Sequence, residues 1–170
     1  AYTPGANAGG DVWFGTQYDY TNPKVGDYYF MTHIHELGHA LGLKHAQETG
    51  GVANVAVPAA HDGLEYTVMS YRSYIGGPTN GYTNETYGFP TTYMMNDILA
   101  LQTLYGADYT THAEDTVYTW NPTTGQMSVN GAADLLPGAN RVFLTIWDGG
   151  GNDTYDMSNY TTGVSIACCG

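Results

Sequence analysis

Residues 31–45 read MTHIHELGHALGLKH and carry four of the six histidines in the chain. Within them, His35, Glu36, His39, Gly42 and His45 form the pattern H-E-x-x-H-x-x-G-x-x-H. On a helix, residues i and i+4 lie one above the other, so His35 and His39 can aim at a common point. Gly42 lacks a Cβ and can turn the chain out of the helix at little steric cost. That turn can bring His45 to the same point as a third ligand. Imidazole nitrogen binds zinc at ~2.0–2.1 Å, and three protein ligands leave a position for water, as in catalytic sites. Zinc lowers the pKa of bound water to ~7. Glu36 lies beside His35 on the edge of the same face, where it can take a proton from that water and pass it to a leaving group. A bare H-E-x-x-H also arises from surface or core histidines; Gly42 and His45 at fixed offsets, on a segment with helical periodicity, argue against that here. His33 points away from the His35/His39 face and reads as structural, as do His61 and His112.

The segment expected to hold it is a helix capped by Asp27, with Phe30, Ile34, Leu37 and Leu41 as its apolar stripe. Before it, GGDVWFGTQYDY reads as a strand through Val12, Trp13 and Phe14. Residues 46–64 and 73–90 read as loops, and LEYTVMSY as a short extended piece. A second helix is expected in TTYMMNDILALQTLYGA, capped by Thr92, striped by Met94, Ile98, Leu101 and Tyr105, and stopped by Gly106. Short strands follow at 116–120, 126–129, 141–147 and 153–157.

Length and charge narrow the function classes. A chain of 170 residues suits one domain, or one and a fraction. Four Lys and Arg face sixteen Asp and Glu, for a net charge of -12. Lys24, Lys44, Arg72 and Arg141 are scattered, so no basic patch exists to meet phosphates and nucleic acid is excluded as a partner. No apolar run is long enough to span a bilayer. Acidic, glycine-rich sequence suits binding of hard cations. Cys168 and Cys169 are adjacent and near the end, read as an incidental tail, so the body is expected to fold without disulfides.

Residues 35–45 resemble the long zinc motif of the metzincin metalloproteases at every defined position. YTVMSY (66–71) resembles the family's methionine turn, which makes Met69 the hydrophobic base beneath the metal. Tyr71, two residues on, resembles the tyrosine of serralysins and astacins. The resemblance implies that it is a fifth zinc ligand able to swing away and stabilise an oxyanion. HALGLKH, EYTVMSYRSY, NDILALQTLYGA and TIWDGGGNDTYDMSNY favour the serralysins, and the likeness runs from DVWF to DMSNY. It implies an α+β metzincin catalytic domain, residues 1–107, followed by a β region, residues 108–170, that begins a calcium-bound β-roll. It also implies that DVWF is the edge strand along which an extended substrate lies.

DGGGNDTY (148–155) matches the G-G-x-G-x-D-x-U repeat with Asp148 in place of the first glycine. Gly150 and Gly151 let backbone carbonyls close on a cation, and Asp148 and Asp153 add carboxylates. The resemblance pairs this loop with HAEDTVY, where His112, Glu114 and Thr116 supply oxygens to calcium; Glu114 stands where the family pattern has glycine. The family has further strands and a helix before DVWF and several repeats after the first, so the chain is expected to be a piece truncated at both ends. The implied function is zinc-dependent endopeptidase action on protein or peptide substrates by a secreted, extracellular enzyme. A proteinaceous inhibitor and the remainder of the protease chain are the further partners considered; nucleic acid and membrane are not. The competing reading is a catalytically inactive metal- and calcium-binding interaction module derived from a protease.

Overall fold

The computed structural model describes residues 10–50 and 54–164. Within them the chain is α+β. Helix α1 spans Tyr28–Ala40, a single 3-10 turn spans Ala59–His61, and helix α2 spans Met95–Tyr105. Strands β1 (Val117–Trp120), β2 (Met127–Val129), β3 (Ala132–Ala133) and β4 (Thr154–Asp156) follow. They form one mixed sheet in the order β3-β2-β1-β4, in which β1 runs antiparallel to β2 and parallel to β4.

α1 starts where expected. The Asp27 carboxylate accepts the Phe30 N–H at 2.7 Å, satisfying a donor that has no partner within the helix. Its buried face is offset by one residue from the expected stripe. Met31, His35 and Gly38 face inward, Ile34 packs beside them, and Leu37 is 49% exposed. The inward turn of His35, which meets a buried carbonyl, sets the rotation.

α2 starts later than expected. Its N-cap is Met94, not Thr92, and the Asp97 carboxylate accepts the Met94 N–H at 2.9 Å. Gly106 ends it at φ +89°, a left-handed conformation that glycine adopts without strain. Of the predicted stripe, Met94 is buried, but Tyr105 is exposed; its phenol donates to the Leu41 carbonyl at the end of α1.

Three expected strands are not strands. Residues 11–15 make no ladder, and Trp13 is 78% exposed. Extended propensity alone makes no strand, because the backbone groups need a partner chain. Residues 66–71 are a run of turns, with Thr67, Val68, Met69 and Ser70 buried. Residues 141–147 keep the alternation of a strand without its ladder. Phe143 packs toward the helices, while Leu144 and Ile146 pack toward the sheet. The Thr91 N–H donates to the Phe143 carbonyl at 2.9 Å, but the Thr145 N–H donates to the Thr92 hydroxyl, so a side chain stands where a ladder partner would be.

β3 was not anticipated, although its signal was present. Asn130 and Gly131 lie between paired Val129 and Ala132, both at positive φ (50° and 80°). An Asn-Gly pair in that conformation closes a two-residue hairpin. Cys168 and Cys169 lie outside the described residues.

Two apolar clusters support the helices. Leu43, Val68, Met69 and Met94 form one, Met31, Leu64 and Phe89 the other, and Phe143 packs against both. A third, of Tyr118, Trp120 and Met127, backs the sheet. Each fully buried side chain of this size is worth about 1.5–3 kcal/mol.

Candidate metal centre

The last turn of α1 delivers the third histidine. The Gly42 N–H donates to the His39 carbonyl at 3.0 Å and the Leu43 N–H to the Gly38 carbonyl at 2.9 Å. Gly42 has φ +98°. This paired closure, with a left-handed residue after the last helical one, reverses the chain at once. Residues 43–45 then run back beside the helix.

One ligand-capable atom each of His35, His39 and His45 lies within 4.8 Å of the others. Their rings are 4.5–5.4 Å apart between centroids. The opposite nitrogens are all engaged. His35 Nδ1 is 2.7 Å from the Val68 carbonyl, His39 Nδ1 is 2.9 Å from the Leu43 carbonyl, and His45 Nδ1 is 2.8 Å from Glu48 Oε1. Carbonyl and carboxylate oxygens act here as acceptors, so these Nδ1 atoms carry the protons and the Nε2 atoms turn their lone pairs inward. His39 Nε2 and His45 Nε2 are 3.0 Å apart. Two such lone pairs repel unless a cation lies between them, and tetrahedral zinc would hold its nitrogens about 3.3 Å apart. The residues therefore fit a metal ion. Burial lowers the pKa of His35 and favours the neutral, ligating form.

The turn at 67–69 braces this site from below. Val68 accepts from His35, and the Met69 carbonyl accepts the Ala46 N–H at 3.1 Å, one residue past His45. A Cβ on Gly38 would stand 2.8 Å from the Met69 sulfur, so a larger residue there would make the Met69 side chain shift. The turn is itself held by Asp97, 2% exposed, whose carboxylate accepts from the Thr67 hydroxyl, the Val68 N–H and the Met94 N–H. Gly38, Glu48 and Asp97 were not anticipated. Glu48, three residues after His45, offered a local signal; Asp97 offered none, because its partners come from a different part of the chain.

Tyr71 and Glu36 complete the surroundings. The Tyr71 phenol donates to His45 Nε2 at 2.7 Å, and its ring stacks over His35 at 6.1 Å. Burial, and then the charges of Glu48 and Glu36, raise the Tyr71 pKa and keep it a donor. Glu36 is half-buried beside His35. Beyond Tyr71 opens a cleft of about 500 Å³ walled by Tyr28, Tyr82, Phe89 and residues 79–81. The Tyr82 phenol is fixed by donating to the Ser70 carbonyl at 2.8 Å. His33 lies apart from the metal group, stacked on Phe14 at 4.3 Å. His61 stacks on Tyr66.

The residues assigned to calcium fall into two hydrogen-bonded groups. Asp153 Oδ1 accepts the N–H of the fully buried Thr116, whose hydroxyl donates to the Glu114 carbonyl at 3.0 Å. Asp148 accepts from the Tyr118 phenol at 2.5 Å and from the Gly150 N–H at 3.0 Å. His112 Nδ1 lies 3.1 Å from the same phenol. A Cβ on Gly151 would collide with the Glu114 carbonyl, so the two loops approach this closely only around glycine.

Comparison with known proteins gives two family matches. The matrixin model matches residues 1–64, and the peptidase M10 serralysin C-terminal model matches residues 107–168. The chain is 34% identical to metallopeptidase AprA of Pseudomonas marginalis over 98% of its own length and 36% of the relative's. It is 37% identical to serralysin of Proteus mirabilis, over 94% of its length and 32% of the relative's. A serralysin C of Dickeya chrysanthemi is 37% identical over 98% and 34%. The chain thus spans about a third of the length of these relatives. Among the described residues, no helix is long and apolar enough to cross a membrane.

Proposed function

The chain belongs to the serralysin-type metalloproteases, and from that membership we propose that it is a zinc-dependent endopeptidase. The α+β fold and mixed sheet fit a metzincin. The observation that carries the proposal is the set of three imidazoles with engaged Nδ1 atoms and converging Nε2 atoms, beside Glu36 and Tyr71. A bound zinc would supply an acidified water and a Lewis acid for the scissile carbonyl. Glu36 takes the water's proton and returns it to the leaving amine. Tyr71 leaves His45 and donates its phenol hydrogen to the oxygen where negative charge develops. The cleft beyond Tyr71 receives a substrate side chain next to the scissile bond, and its walls carry no charged residue.

Met69 acts here as the base of the metal site, in the sense of the family's methionine turn. Calcium lies between residues 112–116 and 148–153, held by oxygens of Glu114, Thr116, Asp148, Gly150 and Asp153; the glycine-only approach of Gly151 to Glu114 supports such a cradle. The catalytic part ends near residue 107, where the C-terminal family match begins. Secretion, protein substrates and a protein inhibitor belong to the same proposal. The test is zinc content measured beside casein hydrolysis, with Glu36→Ala as control. A chain that binds one zinc and cleaves casein, and loses cleavage but not zinc on substitution, supports the enzyme. One that binds zinc without cleaving supports the inactive binding module instead.

A further inference from the structure

The three metal-facing imidazoles are not held alike. His35 and His39 lean on backbone carbonyls of packed segments, whereas His45 leans on the carboxylate of Glu48, at 2.8 Å. We propose that Glu48 is the positioning residue of the third metal ligand, fixing the ring orientation and tautomer of His45 and raising the donor strength of its Nε2. The inference rests on the metal reading given above.

His45 needs such support more than its partners do. It lies past the end of α1, in a segment with no regular structure, and its ring torsion is soft. Turned over, that ring would exchange Nδ1 for Nε2 and withdraw the lone pair from the centre. A carboxylate on Nδ1–H opposes the turn and adds electron density to the ring, as acidic partners of metal-bound histidines do. Glu48 is in turn held in place. Its N–H donates to the His45 carbonyl at 3.1 Å, and the Val57 N–H closes the loop on the Ala46 carbonyl at 2.8 Å. The Lys44 ammonium donates to the carbonyls of Gly50 and Val55, at 2.8 Å each, bracing the loop from the side. The Glu48 side chain is itself 50% exposed, so its contact with His45 adds little to folding. Its effect belongs to the metal.

Zinc affinity of wild type, Glu48→Ala and Glu48→Gln, measured by competition with a chromophoric chelator, tests this. Glu48→Ala is expected to bind zinc about 10–100-fold more weakly. Glu48→Gln should recover part of the loss, because its amide oxygen accepts the same hydrogen bond without the charge. The metal-free melting temperature should be the same in all three. In metal-free protein, the Nδ1–H resonance of His45 should be lost in Glu48→Ala while those of His35 and His39 persist. Equal zinc affinity in wild type and Glu48→Ala overturns the proposal alone. A wild type that takes up no zinc overturns the metal reading and this proposal with it.

Discussion

Asp97 holds the Val68 amide at 2.8 Å, and the carbonyl of the same residue holds His35 Nδ1 at 2.7 Å. One buried carboxylate at the start of α2 is thereby one residue removed from a metal-facing imidazole. Burial raises the Asp97 pKa, against three hydrogen bonds that lower it. Replacement by Ala strands the Val68 and Met94 N–H groups, at about 1–3 kcal/mol for each buried donor. Asp97→Ala should therefore lose at least about 2 kcal/mol in a denaturant titration. Asp97→Asn can keep both with its amide oxygen and should lose far less.

The charge of Asp97 also has a pH signature. Its folded pKa lies above the unfolded value of 3.8, so the native state binds the proton more tightly. Stability from this group is full below 3.8 and falls as pH rises through the folded pKa. Measured against Asp97→Asn, wild type should become relatively more stable on acidification across that window. A difference that stays flat with pH would place the carboxylate in a wetter site than its burial indicates.

Glu36→Ala should retain zinc and lose nearly all turnover, since general-base catalysis alone is worth ~10²–10⁴-fold. Zinc analysis and peptide hydrolysis on the same sample check this. Near wild-type cleavage by a zinc-loaded mutant would assign the proton transfer to another group.

Tyr71 is 36% exposed, so its ring has room to leave His45. Tyr71→Phe should lower kcat more than it raises KM, the signature of a contact made mainly in the transition state. A structure with a substrate-like ligand should find the phenol moved off His45 Nε2. A rise in KM alone would make Tyr71 a binding residue only.

Features set by neighbours in sequence were legible in it. The Asp27 cap, the H-E-x-x-H spacing and the glycine stops at Gly42 and Gly106 are all decided within a few residues, where periodicity and φ preference act. Features set by distant partners were not. Val12–Phe14 has strand propensity but no ladder among the described residues. Residues 141–147 alternate properly, yet their hydrogen bonds go to Thr91 and Thr92, some fifty positions earlier. The rotation of α1 does not follow its apolar periodicity, because His35 is drawn in by the Val68 carbonyl. The hold of Asp97 on the Val68 amide, 29 positions earlier, depends on tertiary structure and has no local signal.

Gly42→Ala tests the turn that delivers His45. The position is open, with the nearest side-chain atom 3.7 Å from an added Cβ, so the cost is conformational rather than steric crowding. Placing an L residue at φ +98° should cost about 1–2 kcal/mol. Zinc affinity should fall along with stability, because relaxing the turn moves His45. Lower stability with unchanged affinity would show that His45 is placed by its own contacts rather than by the turn.

Calcium should act on the sheet before it acts on α1. Its proposed ligands lie at 114–116 and 148–153, which join the start of β1 to the loop before β4, so removal frees those two loops first. Helix α1 is held by different contacts, through Met31, Gly38 and the turn at 67–69. Residues 143–146 link the two parts, since Phe143 packs on both helical clusters while Leu144 and Ile146 pack on the sheet. Hydrogen exchange with and without a calcium chelator should lose protection at 116–120 and 153–157, less at 141–147, and none in α1. Protection unchanged throughout would reduce the loop at 148–153 to a glycine turn. Equal loss in α1 would mean that residues 143–146 couple helices and sheet into one cooperative unit, and the boundary proposed near residue 107 would go with it.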